Sequence, residues 1–243
     1  MPLNFNFLTK YFTMFIEGAG ITILLAAAAV FFGVFLGLFL SLMRLSNIKP
    51  FYILYGLKDS KYFGWLSRAA NFNPVKFIAV TYIEVIRGTP LLLQILLAYA
   101  VLPPLDGVEF IAGVAALSLN SAAYVAEIMR SGIQAVEIGQ TEAARSLGMK
   151  YGMAMRRIII PQAIKNILPA LGNEFVVVIK ESSIVYVLGN VHELMFQTKI
   201  VTSTQFLTIE PLLIAGLLYF IITFTTSKLL GKAERRMRRS ERK

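Results

Sequence analysis

Four carboxylates and two cations stand in stretches otherwise apolar enough for a lipid bilayer: Glu84, Glu127, Glu174 and Glu181, with Arg87 and Lys180. A charge near the bilayer centre costs roughly 2.5 to 3.5 kcal/mol on insertion, so each must face protein or water. Their spacing groups them with uncharged polar neighbours. Asn120, Tyr124, Glu127 and Ser131 recur at i, i+4, i+7 and i+11, one face of a helix. Asn173, Glu174, Lys180 and Glu181 fall within about 120° at the helical step of 100° per residue. Glu84, Arg87, Thr89 and Gln94 share a third segment, where Pro90 removes a backbone donor and predicts a bend. Amides, carboxylates and a phenol in this pattern bind and orient a polar solute. The alternative is that Glu84 with Arg87, and Glu127 with Arg130, neutralise one another at i,i+3 spacing.

Bond-breaking chemistry has little to work with. The chain has no cysteine, which excludes disulfides, thiolate metal sites and cysteine nucleophiles together. Its one histidine, His192, stands alone in "GNVHELMF" and reads as a solvated loop residue. No G-x-x-x-x-G-K-[ST] phosphate loop, G-x-S-x-G elbow or H-E-x-x-H helix occurs, and the only aspartates, Asp59 and Asp106, lie in connections.

The elements that must position the polar groups are membrane spans. Of 243 residues, 56% are hydrophobic and 16% charged, and the mean hydropathy is +0.66, well outside the range of soluble domains. The net charge of +10 is not gathered into one patch, as a nucleic-acid binder requires. A span needs roughly 20 apolar residues, and five segments qualify, at about 14–43, 77–102, 109–133, 167–189 and 209–230. The fourth is the most polar. Lys and Arg counts in the successive connections are 1, 6, 0, 6, 1 and 8. That alternation predicts an outside N-terminus, a C-terminus in the cytoplasm and a cytoplasmic loop over 134–165. The start "MPLNFNFLTKYF" lacks the features of a cleaved signal peptide, so the first span is expected to remain in the mature protein. The aromatic first connection is expected to lie along the membrane surface. Gly33 and Gly37 form a GxxxG pair that permits close helix approach, either within the chain or to a second copy.

Within the cytoplasmic loop, Gln140 to Leu147 suits a short helix ending at Gly148, which accepts a left-handed conformation. A second helical run from about Met149 to Ile160 is expected to close at Pro161. The first helix offers Ala143, Ala144 and Leu147 as a smooth surface, flanked by Glu142 and Arg145.

Here the residues resemble a known family. Glu142, Ala143, Ala144, Gly148, Ile158 and Pro161 have the spacing of the EAA loop of permease subunits of ATP-binding-cassette importers, with Ile160 where Leu is usual. "IRGTPLLLQ" (Ile86 to Gln94), "AAYVAEIMRSGI" (Ala122 to Ile133) and "LGNEFVVVIKESS" (Leu171 to Ser183) look like signatures of the polar amino acid branch. Departures are the long connection from Arg44 to Lys76, and Glu181 where Asp is common. The likeness runs from about Gly18 to Leu229.

The resemblance implies an all-α integral membrane protein of five transmembrane helices, a single domain with the type I importer permease fold, in the cytoplasmic membrane. It implies that Glu142, Ala143, Ala144, Arg145, Leu147 and Gly148 dock on a separate cytosolic ATPase, in two copies. That ATPase would bind ATP and Mg, this chain holding no cofactor or metal and catalysing nothing itself. A second permease copy or paralogue and an extracytoplasmic amino acid binding protein complete the expected partners, with no nucleic acid. An amino acid in transit needs an acceptor for its ammonium and a donor for its carboxylate. The candidates are Thr89, Gln94, Asn120, Tyr124, Glu127, Glu174, Lys180 and Glu181, their acidic excess hinting at basic substrates. Structural or gating work is the alternative for each, and at the level of function the alternative is an ATP-independent channel or ion-coupled carrier. The tail "KAERRMRRSERK" is read as a topology determinant and solvated end, with a lipid-phosphate contact as the alternative.

Overall fold

The computed structural model describes residues 3–46, 48 and 72–239. Most of the first connection, with its expected surface-lying aromatics, and the last four residues of the tail lie outside the described residues. Every described element is helical.

Helix α1 (Leu8–Leu45) has 38 residues, about 57 Å of rise, and overruns the predicted 14–43 at both ends. Its buried face is built mostly from small residues: Gly18, Ala19, Ala26, Ala29, Gly33 and Gly37. That stripe lets the backbone of α4 (Val108–Gln134) come close. A Cβ on Gly33 would stand 2.9 Å from Ser121 Cβ, and one on Gly37 would stand 2.6 Å from Val125 Cγ1. The GxxxG pair therefore serves packing within the chain. Gly37→Leu is expected to destabilise the permease by about 1–3 kcal/mol, read as a lowered midpoint in a thermal scan in detergent. Gly20→Leu, with nothing within 4 Å of its added Cβ, should leave the midpoint unchanged. Equal midpoints for the two variants would refute this packing.

Between α1 and α4 lie α2 (Pro74–Gly88) and α3 (Leu91–Val101). Pro74 opens α2, where its missing N–H is no loss, and the Asn73 side chain accepts from Lys76 N. Asn73 Nδ2 also donates to Ser46 O at 2.7 Å, which ties the start of α2 to the end of α1. The second predicted span is thus two helices, bent by 112° at the break. Proline accounts for the break and not merely for a kink.

After α4 come α5 (Ile138–Ser146), α6 (Tyr151–Ala154), a π-helical turn (Met155–Ile159) and α7 (Ile160–Glu181). Gly148 ends the α5 region with φ +79°. Met149 N donates to Ala144 O and Gly148 N to Arg145 O, the paired bonds of a Schellman cap. Pro161 does not close the second run. It sits in the first turn of α7, where the preceding π turn has already dropped the regular bond that a proline would break. The fourth predicted span is correspondingly shifted: α7 begins at Ile160, stops at Glu181 and passes into a 3₁₀ segment, Ser182–Leu188.

Helices α8 (Leu194–Gln205) and α9 (Ile209–Arg239) complete the chain. Among the described residues three helices, α1, α4 and α9, are long and apolar enough to cross a membrane, and the bent α2–α3 pair is either a fourth, broken span or a re-entrant loop. The core joins Leu25 and Ala29 of α1, Ile95 of α3, Leu117 of α4 and Ile179 of α7, all essentially buried. α4 is the hub, touching α1, α2, α3 and α7.

Candidate functional site

The break between α2 and α3 is the first polar centre. Ile86 O would ordinarily accept from residue 90, but Pro90 has no N–H to give. Gln94, one turn into α3, supplies the substitute: its Nε2 donates to Ile86 O at 2.8 Å and to Thr89 Oγ1 at 3.0 Å. Thr89 Oγ1 in turn donates to Val85 O at 2.9 Å. Gln94 Oε1 accepts from Asn120 Nδ2 at 2.9 Å, and Asn120 is buried on α4. Thr89, Gln94 and Asn120 therefore form one network that satisfies an interrupted helix and fastens it to the hub.

A cavity of about 340 Å³ opens beside this network, between α4 and α7. Arg87, Tyr124, Glu127, Ser131 and Asn166 contribute its polar lining. Its volume is at the lower end of small-molecule sites. The Arg87 guanidinium lies 5.5 Å from the centre of the Tyr124 ring, a cation–π arrangement. The i,i+3 pairing of Glu84 with Arg87 is not formed.

Glu127 has both carboxylate oxygens engaged. Oε2 meets Arg44 Nη1 at 2.6 Å and Oε1 accepts from Arg130 Nε at 2.9 Å and from Arg130 Nη2. The i,i+3 neutralisation by Arg130 is thus present, and Arg44 from the end of α1 joins it. The cluster fixes the last turn of α1 to α4 at the cavity's edge.

The polar residues of α7 do not act as one stripe. Glu174 is buried and its Oε1 accepts from Ser121 Oγ at 2.9 Å, in the seam with α4. Asn173 and Lys180 are exposed and Glu181 is half-buried. A helical arc of about 120° is wide enough to straddle the boundary between a packed face and an open one. The candidates thus fall into a helix-break network, a cavity wall, a helix seam and the end of α7.

The helix expected to dock on a partner, α5, stands three residues beyond α4. Glu142, Ala143, Arg145, Leu147 and Gly148 are exposed, with Leu147 83% accessible. Ala144 differs from these neighbours: it is 1% accessible, on the side of α6 and the π turn, where Ala154 and Ile159 are also buried. It cannot form part of an outward surface in this conformation.

Sequence reasoning missed two centres. Arg44 lies 83 positions from Glu127, with no pattern to announce the pair. Glu193 is fully buried, accepts from Met195 N and Phe196 N at the start of α8, and accepts from Tyr219 of α9 at 3.2 Å. Burial pushes its carboxyl up to about 7. An acidic residue just before a helical run was the available signal. His192 beside it is exposed, as read from the sequence, with its ring 5.1 Å from Phe196.

Bilayer-length helices, an interrupted helix near a cavity that carries a few polar side chains on a mostly apolar wall, and a short helix standing off the bundle define a membrane transport component. The chain belongs to the family of binding-protein-dependent transport system inner membrane components, whose model matches residues 62–239. It is 39% identical to the arginine transport system permease protein ArtQ of Bacillus subtilis, over 99% of both chains. It is 35% identical to a putative glutamine transport system permease protein of Rickettsia conorii, over 96% of this chain and 98% of that one. A solved structure described as an amino acid ABC transporter with histidines matches with 48% identity and TM-score 0.81, covering 97% of this chain and 100% of the other. The inward-facing MetNI methionine transporter, 14% identical with TM-score 0.68 over 92% of this chain and 96% of the other, shares the fold alone. The fold is that of type I ABC permeases.

Proposed function

We propose that this chain is the transmembrane subunit of an ATP-driven importer that moves polar amino acids, basic ones preferred, across the cytoplasmic membrane by alternating access. It forms a single permease domain that crosses the membrane five times, the bent α2–α3 pair making one crossing, with the N-terminus outside. Its partners are two cytosolic ATPase subunits, a second permease copy or paralogue and an extracytoplasmic binding protein. ATP and Mg are bound by the ATPase.

The observation that carries this reading is α5. Nine residues long, it stands off the bundle with Ala143 and Leu147 exposed. Residues 135–137 join it directly to the hub helix, and α6 with the π turn joins it to α7. A push on α5 therefore reaches both walls of the cavity through short, stiff connections. In this reading Glu142, Ala143, Arg145, Leu147 and Gly148 carry the ATPase contact, and Ala144 seats the helix. Tyr124 and Glu127 line the route, while Thr89, Gln94 and Asn120 hold the interrupted helix in shape. Lys180 and Glu181 line or gate the path from α7, and Glu174 acts from the seam with α4. A relative named for arginine supports the basic preference.

The test is reconstitution in liposomes with the ATPase and binding protein, measuring uptake of labelled arginine and glutamine. Arginine uptake is expected to depend on ATP, and permease alone should give none. Equal uptake by the permease alone would overturn the proposal in favour of a channel or ion-coupled carrier. Glutamine uptake exceeding arginine uptake would overturn only the basic preference.

A further inference from the structure

The last helix outruns the membrane it crosses. α9 has 31 residues, about 46 Å of rise, against a hydrocarbon core of about 30 Å. Residues 211–227 carry no charge, and the first cation after them is Lys228. Among the described side chains that follow on the helix, the basic ones are Lys228, Lys232, Arg235 and Arg236, and all four are exposed.

Their direction is set by a contact. Leu230 seats on α7, its side chain 3.0 Å from where a Cβ on Gly172 would stand. At 100° per residue the four cations lie about 120° to 160° round the helix from Leu230, on the side away from the bundle. The same side one to three turns earlier carries Leu217, Ile221 and Phe224, each about half exposed. Lys228 Nζ sits 5.2 Å from the centre of the Phe224 ring, which holds its stem along the helix. One face of α9 is thus apolar over the depth of the acyl chains and cationic from their boundary onward.

We infer that this face is a binding site for anionic phospholipid headgroups. Lys228 lies at the edge of the hydrocarbon and Lys232 about 6 Å beyond it, within the headgroup layer of roughly 5–8 Å. Arg235 and Arg236, a further turn out, reach back to the same phosphates and can bind them bidentately. An acidic protein surface would meet the cations equally well but would have no use for the continuous apolar face below them. Lipid acyl chains and headgroups match both parts at once.

The experiment uses the full-length permease taken from vesicles of phosphatidylcholine with a minority of phosphatidylglycerol, counting retained lipids by native mass spectrometry. Phosphatidylglycerol is expected to be retained selectively over phosphatidylcholine. Replacing Lys228, Lys232, Arg235 and Arg236 by Gln, with four lysines appended after Lys243 to keep the topology signal, should reduce that retention more than about tenfold. Inorganic phosphate in excess should not displace it, which separates a lipid site from a free-phosphate site. If the fourfold variant fails to insert, Lys228→Gln alone carries the test, with an expected loss of about fivefold. Equal retention of the two lipids, unchanged retention by the variants, displacement by phosphate, or loss of a protein partner with lipid unaffected would each overturn the inference.

Discussion

Ala143→Trp is expected to detach the ATPase and to reduce ATP-driven uptake about 100-fold, while leaving the permease as stable as before. The side chain at 143 is exposed on α5, so an indole there meets nothing in its own chain, and substitutions at such positions ordinarily change stability by less than about 0.5 kcal/mol. If α5 docks on the ATPase as proposed, the surface facing Ala143 meets a methyl group, and an indole there is expected to hold the two apart. Losing contact at the centre of an interface costs about 2–4 kcal/mol, which is the origin of the 100-fold figure. Ala144→Trp makes the control. Ala144 is 1% accessible, so this variant should lower the thermal midpoint through overpacking, by about 1–3 kcal/mol. The pair separates loss of docking from loss of folding. Stoichiometric ATPase pull-down with Ala143→Trp, and uptake within about twofold of the parent, would remove α5 from the coupling role.

Two neighbouring alanines with opposite fates show what the sequence could and could not carry. Hydropathy and length made α1, α4 and α9 legible, because a bilayer-length apolar run admits few other structures. Spacing made α5 and its Gly148 cap legible, since the cap is a local backbone requirement. Which face of α5 turns inward was not legible. Nine residues are two and a half turns, and the choice between Ala143 and Ala144 is made by where α6 and the π turn lie.

The same distinction runs through the polar residues. Asn120, Tyr124, Glu127 and Ser131 were readable as one face of a helix, but Glu127's second partner, Arg44, comes from another helix 83 positions away. Period can say that Glu174 and Lys180 share a broad arc. It cannot say that Glu174 finds Ser121 while Lys180 remains exposed, because that depends on the edge of the α4 contact. The GxxxG pair shows the same limit: close approach was written in Gly33 and Gly37, and the identity of the helix that approaches was not. Pro161 was misread because a proline's effect depends on the turn before it, and a π turn leaves no signature of its own in residue type.

Gln94→Leu is expected to destabilise the permease by about 3 kcal/mol and to cut uptake more than tenfold, even though leucine is the more natural residue in an apolar helix. The argument is an accounting of acceptors. Pro90 denies Ile86 O its helical partner, and the Gln94 amide makes up the loss at 2.8 Å while also serving Thr89 and receiving Asn120. Leucine leaves the half-buried Ile86 carbonyl with only the longer 3.4 Å contact from Thr89 Oγ1 and leaves the Asn120 amide without its partner, losses of about 1–3 kcal/mol each. Asn120→Ala should cost less, since it removes one bond and leaves Gln94 Nε2 on its carbonyls. Because both changes break the same Asn120–Gln94 bond, the double variant should fall short of the summed losses by about 1 kcal/mol in a mutant cycle. Additive losses would show that the two amides do not act as a unit. Gln94→Leu with the parent's midpoint but abolished uptake would instead assign Gln94 to the amino acid in transit. Loss of both together is the outcome expected of a residue whose first task is to mend a broken helix.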